Sequence, residues 1–174
     1  MKNLDKLFNE CMNEAKAIGL KPGNIVGVTV NTRAKNRWGQ TRYSNGVYSI
    51  NISNRLLAEE LDDMVAKNTI MHEIIHTCPG CMNHGENWKR LANRVNAAYP
   101  DYNIKRTTSC EEKGIEAPEP RAYRWEIYCK SCGKKWNYKR LPKCAQYPSN
   151  YRCFCGGEIG VKSLVPGIEV WGVR

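Results

Sequence analysis

Apolar residues recur every three or four positions along the first twenty residues. Spacing of this kind places them on one face of a helix, and it predicts an amphipathic helix over residues 2–19. The helix is expected to end at Gly19, before Pro22 and Gly23. Its apolar face consists of Leu4, Leu7, Phe8, Cys11, Met12, Ala15 and Ile18.

Three short segments then show the composition of β-strands. Residues 25–30 are rich in β-branched side chains, and residues 37–43 and 47–52 flank Asn45-Gly46, a strong hairpin-turn sequence. The sequence therefore predicts a strand followed by a β-hairpin. The strand over 47–52 is expected to offer its edge to an extended peptide.

Two more helices are predicted after the hairpin. The first runs from Ala58 or Glu59 to Thr77, where Cys78-Pro79-Gly80 stops it. The second begins after Asn83, which with Glu86 has the spacing of a capping box, so that His84 is the first helical residue. Its apolar stripe comprises Trp88, Leu91, Ala92 and Val95, and His84 shares that face.

The chain has 174 residues, a length that suits one or two domains. Its basic residues are distributed unevenly between an N-terminal and a C-terminal part. The formal net charge is +10, of which residues 121–174 carry +8. The acidic, Pro-containing stretch 111–120 has no helical or strand period and is predicted to be a linker. The predicted domains are thus 1–110 and 121–174, and the basic second part favours a polyanionic partner.

No apolar stretch resembles a signal peptide, and none approaches the ~20 residues that a membrane span needs. We therefore expect a cytoplasmic, nucleic-acid-associated protein without a membrane partner, and a monomer. Nine cysteines are many for a reducing compartment, where clustered cysteines more often hold metal than form disulfides.

All three histidines of the chain lie between positions 72 and 84. His72 and His76 are one helical turn apart, so their rings project from the same face and can reach one ion. Glu73 lies beside them, where a carboxylate can take a proton from a metal-bound water. His72-Glu73-Ile74-Ile75-His76 is the HExxH arrangement of zinc hydrolases.

His84 is the candidate third ligand, because its helix turns the same face inward. Three protein ligands leave a fourth position open, which is typical of a catalytic rather than a structural zinc site. The alternative is that the histidines merely hydrogen-bond within a core. We favour metal because no histidine exists elsewhere in the chain.

A second cysteine-rich region lies near the C-terminus. Cys129 and Cys132 form a CxxC pair, and Cys153 and Cys155 form a CxC pair, which together suit one tetrahedral structural zinc. Cys144 is a possible replacement for one of these ligands. The Cys78–Cys81 pair is open to three interpretations: a dithiol, a second metal site or a plain tight turn.

Basic and aromatic residues alternate between the two cysteine pairs. This pattern is typical of a strand that contacts phosphates and stacks bases, with low sequence specificity. The alternative is that the aromatics cover a small core while the lysines are solvated. The candidate nucleic-acid-binding residues are Lys134, Lys135, Trp136, Tyr138, Lys139 and Arg140.

Several of these motifs together resemble the SprT-like zinc metallopeptidases, which include the Spartan-type proteases. The HExxH helix is followed by His84-Gly85 and then Trp88-Lys89, residues 48–57 resemble the family's strand before the active-site helix, and family members often end in a zinc ribbon. Only seven residues separate His76 from His84, fewer than in many members, which limits any lid over the zinc.

This resemblance implies an α+β fold. A small zincin-like metallopeptidase domain, with helices packed on a short antiparallel-type sheet, would precede a small β zinc ribbon. It also implies that His72, His76 and His84 hold a catalytic Zn²⁺ and that Glu73 is the catalytic base. Spartan-type members act on proteins that are bound or crosslinked to DNA.

Two functions follow as hypotheses. The first is a zinc-dependent endopeptidase acting on DNA-associated proteins, with one catalytic and one structural Zn²⁺ and non-specific binding of single- or double-stranded DNA. The second is a non-enzymatic nucleic-acid-binding or scaffold protein with purely structural zinc. The sequence does not select an oxyanion donor among its tyrosines, which include Tyr43, Tyr48, Tyr99 and Tyr102.

Overall fold

A computed structural model describes residues 1–34 and 36–167. Residues 168–174, which belong to the predicted ribbon domain, lie outside the described residues. Contacts divide the chain into two compact units, Met1–Pro118 and Glu119–Arg174. Among the described residues, no helix has both the length and the apolar character needed to cross a membrane.

The first unit is built on a three-stranded sheet. Its strands are β1 (Ile25–Asn31), β2 (Gly39–Ser44) and β3 (Val47–Ser53), in the order β1-β3-β2. β1 pairs with β3 in parallel, and β2 pairs with β3 antiparallel. β3 is therefore central and has no free edge, so the prediction that residues 47–52 offer an edge is wrong. The chain crosses over after β1 to reach the far side of β3, which a local pattern does not reveal.

Three helices complete the first unit: α1 (Leu4–Ala17), α2 (Asp63–Thr77) and α3 (Glu86–Ala98). α2 contacts the sheet and both other helices, and most of its residues from Thr69 onward are buried. The side chains of the shared core that are fully excluded from solvent include Ile50, Ile52, Leu56, Leu57, Ile70, Met71, Ile74, Ile75 and Val95. α2 is thus held on all sides, which fixes the residues it carries.

Both helix starts differ from the sequence prediction. α2 begins at Asp63 rather than at Ala58 or Glu59, because the Asp62 carboxylate accepts the Met64 N–H at 2.7 Å and caps the helix there. The capping box predicted at Asn83 and Glu86 does not form. Gly85 is the N-cap of α3, the Asn83 side chain accepts from the Gly85 N–H, and the Glu86 carboxylate pairs with Lys89. His84 therefore lies in the turn before α3.

The segment after α3 folds back over α2. It contains two short 3-10 helices, Pro100–Tyr102 and Glu111–Lys113. The Lys113 side chain is buried, and its Nζ donates to the Asn68 side chain at 2.9 Å and to the Val65 carbonyl at 3.2 Å. Residues 111–118, which the sequence analysis placed in a linker, are thus packed with the first unit.

The second unit contains a smaller antiparallel sheet. Its strands are β4 (Trp125–Cys129), β5 (Lys135–Tyr138) and β6 (Ile159–Ser163), in the order β5-β4-β6. A short helix, α4 (Lys143–Gln146), and a 3-10 turn at Pro148–Asn150 connect β5 to the second cysteine pair. The buried core is small: Ile127, Cys129, Ala145, Cys153, Ile159 and Val161. The predicted α+β class is confirmed, although the first sheet is mixed.

Candidate metal centres

The three histidines meet at one point. The Nε2 atom of His76 lies 3.2 Å from Nε2 of His72 and 3.2 Å from Nε2 of His84, and the third separation is 2.9 Å. Tetrahedral zinc with Zn–N distances of 2.0–2.1 Å holds its ligand atoms about 3.3 Å apart. The three ring nitrogens therefore have the spacing of ligands to one ion, and this cluster is a potential zinc site.

Backbone carbonyls orient two of the rings. The Nδ1–H of His76 donates to the Cys81 carbonyl at 2.7 Å, and the Nδ1–H of His72 donates to the Lys105 carbonyl at 3.0 Å. A neutral imidazole protonated at Nδ1 carries its lone pair at Nε2. The two bonds thus turn the lone pairs toward the common point, as they do in established metal sites.

The environment keeps these imidazoles neutral. Burial, followed by the neighbouring histidines, lowers the pKa of His72 to about 3. Burial also lowers the pKa of His76 and of His84 below the ordinary value. Neutral imidazole is the form that binds metal, so protonation competes little with an ion at neutral pH.

Trp88 forms the floor of the histidine cluster. The centroid of its indole lies 4.7 Å from that of His72, 5.6 Å from that of His76 and 4.6 Å from that of His84. The indole is buried, and the rings lean on it at tilted or edge-on angles that aromatic pairs favour. This α3 residue thus holds rings from α2 and from the preceding turn in one arrangement.

Glu73 projects beside the histidines but does not join their cluster. Its Oε2 accepts a hydrogen bond from the Thr41 hydroxyl at 2.7 Å, and the same hydroxyl lies 3.0 Å from the Glu73 carbonyl. Burial raises the pKa of Glu73 to about 7, and the Thr41 hydrogen bonds only partly offset that rise. A carboxyl group with this pKa can both accept and release a proton near neutral pH.

Gly39 makes room for that carboxylate. A Cβ at position 39 would lie 2.5 Å from Glu73 Oε1 and under 3.0 Å from two more atoms of the same side chain. Any larger residue at position 39 would therefore displace the Glu73 side chain. The Glu73 side chain can lie against β2 at this point because residue 39 has no side chain.

An open cleft of about 240 Å³ adjoins His72 and Glu73. Arg37, Lys105 and Arg106 line it together with neutral polar side chains, and Glu73 is its only carboxylate among the described lining residues. None of Tyr43, Tyr48, Tyr99 and Tyr102 is among those residues. Within the described chain, no fourth His, Cys, Asp or Glu joins the histidine cluster.

The comparison with known families agrees with this geometry. The model of the SprT-like family matches residues 2–108, which is more than half of the chain. The chain belongs to the SprT-like family. A search of curated proteins finds no significant match. The matched range falls within Met1–Pro118, which we call the SprT-like unit, and the family suggests a metallopeptidase-type enzyme.

The second unit holds the four predicted cysteines together. The ligand atoms of Cys129, Cys132, Cys153 and Cys155 lie within 4.8 Å of one another, and the cluster is a potential zinc site of the ribbon type. Cys129 Sγ is 3.5 Å from Cys155 Sγ, and Cys132 Sγ is 3.7 Å from Cys153 Sγ. Cys144 is outside the cluster and packs beside the ribbon core, so it replaces none of the four.

Hydrogen bonds from backbone amides favour the thiolate form of Cys129. The N–H of Cys132 donates to the Cys129 sulfur at 3.4 Å, and such hydrogen bonds lower the pKa of Cys129 to about 6. The Gly157 amide acts likewise on Cys155, but hydrogen bonds with the other three cysteines outweigh it and raise the pKa of Cys155 to about 12. A cation between the four sulfurs would favour the thiolate form of all of them, and zinc fits such a site.

Cys78 and Cys81 form a tight turn in which the N–H of Cys81 donates to the Cys78 carbonyl. Both thiols are buried, and burial raises the pKa of each, that of Cys78 to about 11. Neither belongs to a described cluster of metal-ligating residues. The tight-turn interpretation fits best, and the turn presents the Cys81 carbonyl to His76.

The candidate nucleic-acid-binding residues lie on and around β5. Lys134 Nζ is 5.7 Å from the centroid of Trp136, and Lys139 Nζ is 5.6 Å from that of Tyr123. Trp136 is partly buried against the ribbon core, whereas Lys134, Lys135, Tyr138, Lys139 and Arg140 are exposed. Phe154, between the second pair of cysteines, is fully exposed and was not singled out from the sequence.

Sequence reasoning missed the groups that orient the first centre. Thr41, Gly39 and the carbonyls of Cys81 and Lys105 contact residues far away in the chain, or act through the backbone. No local motif marks them. The one available signal was weak: Gly39 interrupts a predicted strand, which often indicates a close approach.

Proposed function

We propose that this protein is a zinc-dependent endopeptidase that hydrolyses peptide bonds in proteins associated with nucleic acid. The observation that carries the proposal is the convergence of three neutral imidazoles beside a buried carboxylate at an open cleft. Zinc held by three imidazoles supplies Lewis acidity and a source of hydroxide at neutral pH. His72, His76 and His84 would hold that ion.

The chain's own residues supply the rest of the chemistry. Glu73, held by Thr41, accepts a proton from the attacking water and returns it to the leaving amine, for which a pKa of about 7 is well matched. Arg37 and Arg106 line the cleft, where a cation stabilises negative charge that develops on the carbonyl oxygen.

The proposed substrate class rests on the second unit. Its basic residues around β5 can contact phosphates, and its exposed aromatic side chains can stack on bases, so this surface suits a single strand of nucleic acid. A structural zinc in the ribbon would hold Cys129, Cys132, Cys153 and Cys155 and stabilise a unit with a small core. Binding through the ribbon would bring the protease to nucleic-acid-associated proteins.

The Glu73→Gln variant tests the catalytic assignment. Glutamine keeps the size of the side chain but cannot take a proton, and loss of a general base typically costs 10²–10⁴ in rate. We expect this variant to retain zinc and DNA affinity while cleavage of a DNA-bound protein falls by about that factor. Glu86→Gln, an exposed carboxylate at the start of α3, is the matched control.

Wild-type cleavage rates for Glu73→Gln would contradict the assignment. If the wild-type chain holds zinc and DNA but cleaves nothing, the alternative of a non-enzymatic nucleic-acid-binding or scaffold protein is favoured instead.

A further inference from the structure

Acidic residues are absent from the part of the chain that forms the sheet of the SprT-like unit. Between Ala15 and Ala58 there is no Asp or Glu, and this stretch includes β1, β2 and β3. The near balance of charge in residues 1–120 therefore conceals a local excess of positive charge. The basic residues of the stretch are Lys16, Lys21, Arg33, Lys35, Arg37, Arg42 and Arg55.

The outer face of this sheet is polar. Ile50 and Ile52 point into the core, so Ser49 and Asn51 of β3 face outward by strand alternation. Asn51 has Thr29 and Gln40 as its register neighbours on either side, and its amide donates to the Thr29 hydroxyl at 2.9 Å. Hydroxyl and amide groups thus form a continuous row across all three strands.

Three arginines surround that row. Arg33, Arg37 and Arg42 line a hollow of about 280 Å³ on this face, and its described lining contains no carboxylate. In the described chain no ion pair involves any of the three, although Lys2, Lys67, Lys89 and Lys105 each pair with an acidic side chain. The Nε of Arg42 donates only to Gln40, at 3.3 Å. The guanidinium groups of Arg33 and Arg42 are therefore available to an external anion, whereas Arg37 also interacts electrostatically with the Glu73 carboxylate.

We propose that this surface binds the phosphate backbone of a nucleic acid. We call it the arginine face: Thr29, Arg33, Arg37, Gln40, Arg42 and Asn51. Guanidinium groups match phosphate oxygens in a bidentate fashion, and hydroxyl and amide side chains commonly complete contacts to phosphate and sugar. An acidic peptide fits less well, because protein interfaces are usually anchored by buried apolar or aromatic side chains and this lining is mostly polar.

The arginine face adjoins the catalytic cleft, because Arg37 lines both. A nucleic acid bound here passes the edge of the cleft that contains His72 and Glu73, and it presents an attached protein to the metal centre. This positional role rests on the proposed function, whereas binding of the nucleic acid to the arginine face does not depend on it.

The test is the salt dependence of oligonucleotide binding by the full chain. Fluorescence anisotropy with a single strand and with its duplex would compare wild type with Arg33→Gln/Arg42→Gln, leaving Arg37 intact because it lines the cleft. Arg90→Gln/Arg94→Gln removes the same charge from exposed positions on α3 and is the matched control.

Each lost phosphate contact reduces the slope of log K against log salt by about 0.9 for a duplex and about 0.7 for a single strand. We expect Arg33→Gln/Arg42→Gln to bind more weakly, with the slope reduced by the amount that corresponds to about two phosphate contacts. The control should match wild type. Equal slopes for all three proteins would overturn the proposal. So would binding of labelled polyglutamate that depends on Arg33 and Arg42 together with oligonucleotide binding that does not, since that result assigns the face to an acidic protein.

Cleavage of an unfolded protein free of nucleic acid, measured on the same preparations, separates the two proposals. Absence of cleavage by wild type counts against the proposed function, and the salt dependence of binding still tests the arginine face. Normal cleavage with an unchanged salt slope counts against the arginine face alone.

Discussion

The catalytic proposal depends, at the scale of single residues, on how Glu73 is held. The side chain is buried against β2, where Gly39 leaves space for it and the Thr41 hydroxyl bonds its carboxylate. Burial raises the pKa of Glu73, and the Thr41 hydroxyl fixes which way the carboxylate faces. In the proposed mechanism, Thr41 is thus a positioning residue that acts through Glu73.

Thr41→Val removes this hydrogen bond at nearly constant volume. Hydrogen bonds to charged groups contribute about 1.5–3 kcal/mol, so we expect kcat to fall by roughly ten- to a hundredfold while KM and zinc content stay near wild type. Steady-state cleavage of a peptide substrate is the measurement. Thr41→Ser keeps the hydroxyl and should restore most of the rate; equal kcat for the valine and serine variants would argue against the positioning role.

The elements that carry the metal ligands were foreseen to different degrees. The apolar period of α1, the Asn45-Gly46 turn and the HExxH spacing on α2 are local signals, and each of these elements is present, although α2 begins later than predicted. The start of α2, the place of His84 before α3 and the central position of β3 depend on a cap and on pairings between distant segments. Local periodicity contains no information about such pairings.

The buried side chain of Lys113 connects the segment after α3 to α2 by hydrogen bonds. Lys113 donates to the Val65 carbonyl and to Asn68, in the helix that bears His72 and His76. Burial lowers the pKa of Lys113 from 10.5 to about 8, and the Glu112 carboxylate only partly opposes this. Below pH 8 a buried ammonium therefore lowers the stability of the fold.

Lys113 makes a contribution to stability that rises with pH. Between about pH 8 and 10.5 the unfolded chain keeps the Lys113 proton that the folded chain has released, so the free energy of unfolding increases by up to about 3 kcal/mol. Urea unfolding across this range should show the Lys113 contribution as a pH-dependent difference between wild type and Lys113→Met. The buried thiols of Cys11 and Cys78, whose raised pKa values lower stability above about pH 9, are common to both proteins. Lys16→Met, at an exposed position of α1, is the control. Parallel pH curves for wild type and Lys113→Met would refute the expectation.

At the scale of the whole molecule, two potential zinc sites lie in separate units, and basic surface is present in both. The sequence directed attention to the ribbon, because residues 121–174 carry most of the net charge. The net charge of residues 1–120 did not reveal the arginine face. The acidic residues of that range nearly balance its basic residues, but they lie outside the stretch that forms the sheet. Both surfaces are consistent with an enzyme that acts where protein and nucleic acid meet.

Anomalous diffraction at the zinc absorption edge, from crystals of the full chain, tests the central claim most directly. We expect one peak about 2.0–2.1 Å from Nε2 of His72, His76 and His84, with no fourth protein ligand, and a second peak among the four ribbon sulfurs at about 2.3 Å. A histidine cluster without a peak, or with a protein side chain in the fourth position, would contradict the account.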